Sequence, residues 1–444
     1  MKVNKLYNLD CREGLSKLED ESINCCISSP PYWSLRDYGL TGLIWDGDHE
    51  CDHIWTDHLS FNFLKDPPYC VNCGAWFGSL GLEPNFELYI KHLVDIYDKV
   101  KRVLKKSGTC WVNLGDSYGG SSKAGNKVFG NPEFNKNRPS RELTKTPEKK
   151  ISNKFDKCLL MLPQRFTIEM INRGWILRNV IIWDKPNCMP SSAKDRFTVD
   201  FEYVYFFVKK KKYWFEQQRE TNLESSKKRA MRGNNINKYS KGDHLPKGVH
   251  PHTMSQPRKY KGYENMDEEI AKGNTSLHPL GRNKRTVWKI PTKPNPEAHF
   301  ATFPPNLISP MIKSGCPEYV CLECGKPREK IIEKTQWKPQ RKHKGKGYRI
   351  EQKVSESSAF NHRADWEEFK KNNPDIIKGY SDCGCGKGFE SGIVLDPFSG
   401  IGTTLKESWR LGRNYIGFEL SKEYCEIAKK GLNLTKNKRL DDFF

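Results

Sequence analysis

The stretch that decides the fold is residues 392–420, "GIVLDPFSGIGTTLKESWRLGRNYIGFEL". Its apolar start predicts a short buried strand, and the glycines that follow predict a tight turn. The residues after the turn predict a helix, and "NYIGFEL" predicts a second strand. A strand, a helix and a second strand in this order form one βαβ unit, which is the building block of parallel α/β sheets.

The rest of the chain shows the same alternation of strands and helices. Apolar runs such as residues 22–28, "SINCCIS", alternate with helical patterns, the clearest of which is residues 86–104. Two neighbouring runs, residues 201–210 and 212–217, predict a hairpin. The alternation predicts an α/β fold with a mainly parallel, three-layer, Rossmann-like sheet that polar insertions interrupt.

Changes in composition predict where core and insertions meet. Three insertions are expected: a Cys- and His-containing segment, a basic segment and a second Cys-containing segment, at residues 46–80, 216–285 and 321–386. The core is expected to occupy the remaining segments, the last of which carries the ligand loop: residues 1–45, 81–215, 286–320 and 387–444.

The glycine loop after the strand at residues 393–396 predicts a ligand site. Ligands of open α/β sheets bind beyond the carboxyl ends of strands, where glycines let the backbone approach them. Glu419 ends the next strand, and an acidic group there suits the two hydroxyls of a ribose. The loop lacks the lysine of a phosphate-binding loop and the full dinucleotide spacing, so we expect a nucleoside cofactor.

Charge and hydropathy predict the kind of partner. The chain of 444 residues carries a formal net charge of +21, which favours a polyanion such as nucleic acid. No run of 18 apolar residues occurs, so no membrane partner is expected. The first residues lack the apolar run of a signal peptide, which predicts the cytoplasm of a bacterial, archaeal or phage-infected cell.

Two motifs carry a resemblance to a known family. "DPFSGIGTT", residues 396–404, resembles the S-adenosylmethionine motif of DNA amino-methyltransferases, and "SSPPYW", residues 28–33, resembles their catalytic motif. The catalytic motif precedes the cofactor motif, which is the order of the beta class of these enzymes. The resemblance covers most of the core, in residues 5–35, 86–118, 158–216 and 286–435.

The resemblance implies a role for each residue of the cofactor motif. Glu419 would bind the ribose, Asp10 would lie near the adenine, and His299 and Phe303 would pack over the methionine moiety. The loop itself would line the methionine and adenosine ends of the cofactor through Asp396, Phe398, Gly400, Gly402 and Thr403.

The Ser-Pro-Pro-Tyr motif suits transfer of a methyl group to an exocyclic amine. Such an amine is a poor nucleophile until acceptors hold its N–H groups, and the Ser29 hydroxyl and the Pro30 carbonyl are suitable acceptors. Pro30 and Pro31 would fix the backbone in advance. Tyr32 would stack on a base flipped out of double-stranded DNA, and Trp33 would widen that surface.

The first residue of the motif favours one target amine. In this family a serine at that position is typical of cytosine N4 methylation, whereas an aspartate is more typical of adenine N6 methylation. Adenine N6 therefore remains the nearest alternative. More distant alternatives are methylation of a protein glutamine or an RNA base, and a catalytically inactive, zinc-stabilised nucleic-acid-binding protein. Nothing in the sequence implies a partner restriction endonuclease.

Two sets of soft ligands predict one or two structural zinc ions. The first set is Cys51, His53, Cys70 and Cys73, with His49 and His58 as competing histidine ligands. The second set is separated by a longer gap and comprises Cys321, Cys324, Cys383 and Cys385.

Basic residues predict where DNA is contacted. Residues 219–285 interleave Arg and Lys with Tyr, and they lie where the beta class places its target-recognition region. Residues 338–349, "KPQRKHKGKGYR", are a second candidate, and a solvated linker is the alternative for both.

Overall fold

The computed structural model describes residues 1–56, 69–119, 155–223, 225–226, 281–293, 303–333 and 376–436. The chain forms two compact units. The first comprises residues 1–216, 285–327 and 385–444, and the second comprises residues 217–284 and 328–384.

The secondary structure alternates along the chain, as the sequence predicts. The helices are α1 (Cys11–Ser16), α2 (Phe86–Val103), α3 (Leu162–Asn172), α4 (Pro305–Gly315), α5 (Thr403–Arg410) and α6 (Lys422–Lys436). The strands are β1 (Lys5–Asn8), β2 (Ile23–Ser28), β3 (Leu43–Trp45), β4 (Trp76–Gly78), β5 (Leu104–Leu114), β6 (Ile176–Asp184), β7 (Phe201–Val208), β8 (Arg219–Glu220), β9 (Arg282–Asn283), β10 (Val287–Lys289), β11 (Tyr319–Cys321), β12 (Lys330–Glu333), β13 (Ile376–Tyr380), β14 (Phe389–Ser391), β15 (Ile393–Asp396) and β16 (Asn414–Glu419).

The first unit is built on an eight-stranded sheet in the order β1-β16-β15-β2-β5-β7-β6-β10. Strand β7 runs antiparallel to both of its neighbours, and the other neighbouring pairs are parallel. The prediction of a mainly parallel α/β sheet is therefore confirmed.

The predicted hairpin between residues 201–210 and 212–217 is wrong. Strand β7 lies between β5 and β6, so both of its edges are already paired within the sheet. The backbone amides of Trp214 and Glu216 instead donate to the carbonyls of Ser107 (2.9 Å) and Ser314 (3.0 Å). These bonds fix the segment after β7 without making it a strand.

Helices cover both faces of this sheet. Neighbouring strand residues point to opposite faces, so Cys26 packs with the α2 residues Leu93 and Tyr97, whereas Cys25 packs with Leu307 and Met311 of α4. The two buried clusters make the three layers that the alternation predicts.

The first Cys-containing insertion packs on α2 through stacked rings. Strands β3 and β4 pair antiparallel, and the rings of Trp45 and Trp76 stack on His92 with centroids 4.5 and 5.6 Å away. The buried His92 ring also bonds Asp46 at 3.0 Å and Glu83 at 3.1 Å. One histidine thereby ties the insertion to the core helix.

The second unit is described only in part. Strands β8 and β9 pair antiparallel, as do β12 and β13, and Arg282 forms a 2.7 Å ion pair with Glu220. Most of the basic segment 219–285 and all of residues 338–349 lie outside the described residues. Among the helices that are described, none is long and apolar enough to cross a membrane.

Candidate active site

A cavity of about 310 Å³ lies where several strands of the first unit end, and both predicted motifs line it. Strands β2 and β15 pair in parallel, with Val394 opposite Cys25, so their carboxyl ends reach the same edge of the sheet. The predicted residues in the wall are Asp10, Ser29, Pro30, Pro31, Tyr32, Phe303, Phe398, Gly400, Thr403 and Glu419. The sheet therefore joins segments that are almost the whole chain apart.

Two predicted cofactor residues do not line this cavity. Asp396 is fully buried beneath the loop, and Gly402 begins helix α5, where a Cβ would come within 3.0 Å of the Ala428 Cβ. His299 falls outside the described residues. Asp396 and Gly402 therefore contribute to the conformation of the loop and do not line the cavity.

The glycine loop is held in a strained-turn geometry that only glycine tolerates well. Gly400 and Gly402 have φ of +51° and +78°, in the left-handed region. The Asp396 carboxylate accepts the Phe398 amide at 3.0 Å. Burial raises the pKa of Asp396 to about 7, and the charge of Glu419 adds to the rise. The open side of Gly400, where a Cβ would meet no atom within 4 Å, leaves room for a ligand.

Two backbone amides hold the Glu419 carboxylate beside the same loop. One carboxylate oxygen accepts the Gly400 amide and the other accepts the Ser421 amide, both at 2.8 Å. Burial raises the pKa of Glu419, and these amides act in the opposite direction. Each carboxylate oxygen has a second lone pair, so the group can also accept bonds from two neighbouring hydroxyls.

Asp10 has a local structural role in the wall. Its carboxylate caps helix α1 through the Arg12 amide at 2.8 Å and also pairs with the Arg12 guanidinium at 2.6 Å. That guanidinium lies 3.9 Å from the centre of the Trp45 ring. The role of Asp10 near an adenine stays a prediction.

Neighbouring side chains brace the Ser-Pro-Pro-Tyr loop. The Tyr89 hydroxyl donates to the Pro31 carbonyl at 2.9 Å. The Trp33 indole donates to the Glu83 carbonyl at 2.9 Å and packs edge-on against Phe86. Trp33 is only 2% exposed, so the prediction that it widens the stacking surface is wrong. Its ring anchors the loop to the core instead.

The Tyr32 side chain lines the cavity and packs against the backbone at Gly115. A Cβ on Gly115 would come within 2.6 Å of the Tyr32 ring edge, so glycine is required there. The Tyr32 hydroxyl donates to Glu202 at 2.7 Å and lies 3.2 Å from the Asn113 side-chain oxygen. The Ser29 hydroxyl donates to the Tyr32 hydroxyl at 3.5 Å. Burial and then the Glu202 charge raise the pKa of Tyr32.

Sequence reasoning missed three polar residues of this wall. Glu202 accepts bonds from Lys185 at 2.5 Å and from the Asn113 amide at 3.0 Å, in addition to Tyr32. Asn113 is near the end of β5, Lys185 follows β6 and Glu202 is near the start of the antiparallel β7, so the three meet at one edge. Each of these polar residues lies at one end of a long apolar run, and this position is the signal by which sequence reasoning could have found them.

The first set of soft ligands converges in the structure. The ligand atoms of Cys51, His53, Cys70 and Cys73 all lie within 4.8 Å of one another. The Cys51 and Cys70 sulfurs are 3.8 Å apart, and the Cys73 sulfur is 3.4 Å from the His53 Nδ1. A tetrahedral zinc ion with Zn–S bonds of about 2.3 Å holds sulfurs roughly 3.8 Å apart, so this set fits zinc.

The structure also separates the competing histidines. His53 is the histidine of the converging group, and His49 is not in it. His58 lies outside the described residues.

Part of the second set converges in the same way. The Cys321, Cys324 and Cys385 sulfurs lie within 4.8 Å of one another. The Gly325 amide donates to the Cys321 carbonyl at 2.9 Å, and Gly325 has φ of +64°. Cys383 belongs to the second unit, and its role stays a prediction.

Both Cys-x-x-Cys-Gly segments form the same turn. In the first, the Gly74 amide donates to the Cys70 carbonyl at 2.8 Å, and Gly74 has φ of +74°. The glycine after the second thiol is therefore required by the backbone, and the turn presents both sulfurs on one side.

The fold and the cavity together define a class: an α/β protein in which an N-terminal Ser-Pro-Pro-Tyr loop and a C-terminal glycine loop line one cavity, as in the methyltransferases that the two motifs resemble. The family model described as DNA methylase, which covers N6 and N4 enzymes, matches residues 23–319 and 324–430. The chain belongs to this family of DNA amino-methyltransferases, and the resemblance drawn from its motifs is confirmed.

Characterised relatives agree with this assignment. The type II methyltransferase M.SmaI of Serratia marcescens is 28% identical over 95% of this chain and 88% of its own length. The type II methyltransferase M.Cfr9I of Citrobacter freundii is 30% identical over 69% of this chain and 71% of its own. A solved structure, the cytosine-N4-specific PvuII DNA methyltransferase, covers 99% of this chain and 94% of its own at 14% identity and a TM-score of 0.41. That superposition is too poor to support an inference.

Proposed function

We propose that this DNA amino-methyltransferase moves a methyl group from S-adenosylmethionine to N4 of a cytosine flipped out of duplex DNA. The observation that carries the proposal is the shared cavity. Ser29 to Tyr32 form one part of its wall, and residues 398–401 with Thr403 and Glu419 form another. A methyl donor and an amine bound at these two places would meet in one enclosed space.

The residues present suit the proposed cofactor. Gly400 leaves open space beside the loop, and Glu419 is held where its free lone pairs can accept the ribose hydroxyls. Phe303 and Phe398 supply apolar wall for the methionine side. When bound, the sulfonium supplies an activated methyl group, so the chain needs no nucleophile of its own.

Ser29 and Pro30 would hold the amine. Their hydroxyl and carbonyl oxygens accept its two N–H groups, which favours the tetrahedral nitrogen that can attack. Because the Tyr89 hydroxyl holds the Pro31 carbonyl, the backbone that carries the two acceptors is fixed before the reaction and need not rearrange during it. The Tyr32 ring, set against Gly115, would stack on the flipped base.

The same residues offer a path for the proton that the amine releases. The Ser29 hydroxyl donates to Tyr32, and Tyr32 donates to Glu202. Ser29 would take the proton from nitrogen and pass its own to the Tyr32 oxygen, which would pass its own to Glu202. The 3.5 Å first bond is expected to shorten once a base is bound, as catalytic hydrogen bonds commonly do.

Adenine N6 on the same scaffold is the alternative target. Ser29 in place of an aspartate supports cytosine. The test is to incubate the protein with methyl-labelled cofactor and plasmid DNA, digest to nucleosides and identify the labelled one. Label in N4-methylcytosine supports the proposal, and label in N6-methyladenine would exclude the cytosine assignment alone.

We propose further that structural zinc fills the two cysteine sites. In the first, Cys51, His53, Cys70 and Cys73 would form a closed tetrahedral site without an open position for catalysis. The segments 46–80 and 321–386 would then shape surfaces that contact DNA, and 216–285 would read its sequence. Since M.SmaI and M.Cfr9I are named type II methyltransferases, we also propose a role in a restriction-modification system.

A further inference from the structure

The β6–β7 loop, residues 185–200, exposes apolar side chains to an unusual extent. Phe197 is 97% exposed and Met189 is 89% exposed. Every other exposed large apolar side chain in the described part of the chain is between 37% and 61% exposed. A phenylalanine with almost no packing contact gives up the hydrophobic stabilisation that it could gain by burial, which suggests that a partner covers it.

The loop is tied down at several points. The Lys185 amide donates to the Asp200 carbonyl at 2.8 Å, which closes its base. The Asn187 side chain donates to the Thr292 carbonyl at 3.0 Å and accepts the Thr292 amide at 2.8 Å. Near the tip, Asp195 pairs with Lys157 at 2.9 Å. The exposed side chains are therefore presented from an anchored loop.

The loop begins and ends at the active-site wall. Lys185, the first residue of the loop, lines the cavity, and so does Glu202, which lies two residues after the end of the loop. Phe197 comes five residues before Glu202, and an extended chain spans at most about 3.6 Å per residue. Phe197 therefore lies within about 18 Å of Glu202, near enough for one duplex to engage both.

Charge at the tip suits DNA. Lys194 and Arg196 precede Phe197 by three residues and one residue, and both are exposed. The Arg196 guanidinium lies 3.5 Å from the centre of the Tyr118 ring, which orients it. Cations next to an exposed apolar side chain can contact phosphates while that side chain enters the base stack.

We infer that Phe197, with the exposed Met189 of the same loop, is a wedge that enters the duplex when the target base leaves it. The inference rests on the proposed transfer to a flipped base and adds how the flipped state is held. An aromatic ring in the emptied stack would replace lost base stacking and slow the return of the base.

The test compares matched and mispaired duplexes. The target site is first mapped on methylated plasmid DNA and then placed in a short matched duplex. On this duplex, Phe197→Ser should slow single-turnover methylation by roughly 5- to 150-fold, which is the contribution of one aromatic–base stack. On a duplex whose target base is mispaired, flipping is already easier, so the loss should shrink to less than about threefold. Phe197→Tyr, which keeps an aromatic ring, should retain most activity on both.

Matched controls separate the wedge from general effects. Ile168→Ser removes another exposed apolar side chain, 59% exposed on α3, and should change neither rate. Cofactor affinity of Phe197→Ser should equal that of the wild type. A wild-type rate for Phe197→Ser on matched DNA, or an equal loss on both duplexes, would overturn the inference.

The outcome is distinguishable from failure of the proposed function. Methylation at an atom other than the amine would refute the function, yet the contrast between the two duplexes could still be measured. If no methyl group is transferred, binding of a duplex with and without a single mispair, at fixed salt, gives the same contrast. Phe197→Ser should weaken binding of the fully paired duplex more, and equal weakening of both would overturn the wedge.

Discussion

Replacing Gly115 by alanine should misplace Tyr32 and little else. The new Cβ would lie 2.6 Å from the Tyr32 Cε2 atom, whereas carbon atoms in ordinary contact are about 3.5 Å apart. The ring must therefore move by about 0.9 Å. Misplacement by about 1 Å costs on the order of 100-fold in rate, so we expect kcat to fall by about that factor.

The backbone at Gly115 does not oppose the change, because this glycine is not among those with positive φ. Gly115 is buried and does not line the cavity, and the bond between the Gly400 amide and Glu419 does not involve it, so affinity for the cofactor should be unchanged. The assay is single-turnover methylation of plasmid DNA with saturating cofactor, together with direct titration of the cofactor.

A double-mutant cycle provides the control. Tyr32→Ala removes the ring that the new Cβ would meet, so Gly115→Ala should cost almost nothing in that background. The reasoning would be refuted by a near-normal rate for Gly115→Ala alone. An equal loss in the Tyr32→Ala background would refute it as well, because the loss would then not act through the ring.

Three further predictions concern the groups around the cavity and the first cysteine site. Burial raises the pKa of Asp396 to about 7 in the fold, against 3.8 for an ordinary aspartate. Between these values the folded protein holds a proton that the unfolded chain has released, so the contribution of Asp396 to the free energy of unfolding is largest below pH 3.8 and is lost as the pH rises toward 7. Asp396→Asn should accordingly melt higher than the wild type at pH 8 and similarly near pH 4, measured without cofactor; the reverse order at pH 8 would contradict the assigned pKa. Glu419→Gln should raise the Kd for the cofactor by roughly 10- to 100-fold, the worth of one or two charge-assisted bonds, with little change in kcat at saturation. Cys73→Ser should lower the zinc content by one ion per chain and reduce the melting temperature, and a wild-type chain without zinc by elemental analysis would refute the metal site.

Much of the fold follows from the sequence because its signals are local. The glycines of residues 396–403 and the apolar runs around them define one βαβ unit, and strands β1, β2, β15 and β16 then pair as that unit requires. The helix predicted over residues 86–104 forms over Phe86–Val103 for the same reason, since its apolar spacing is regular and Asn85 caps it.

What sequence reasoning could not reach depends on pairing between distant segments. Strand β7 pairs with β5 and β6, so the expected hairpin does not form, and Glu202 comes within hydrogen-bond distance of Tyr32. Trp33 looks like a surface aromatic in sequence, but α2 supplies the partners that bury it. Glu202 and Lys185 carry no motif of their own, so only the register of β6 with β7 shows that they belong to the site.

The most direct test of the central claim is the fate of a labelled methyl group. Wild-type protein, methyl-labelled S-adenosylmethionine and plasmid DNA should yield labelled N4-methylcytosine after digestion to nucleosides. Ser29→Ala should bind the cofactor normally and transfer far less label. Absence of label from DNA, or equal loss of cofactor binding and transfer in Ser29→Ala, would contradict the account.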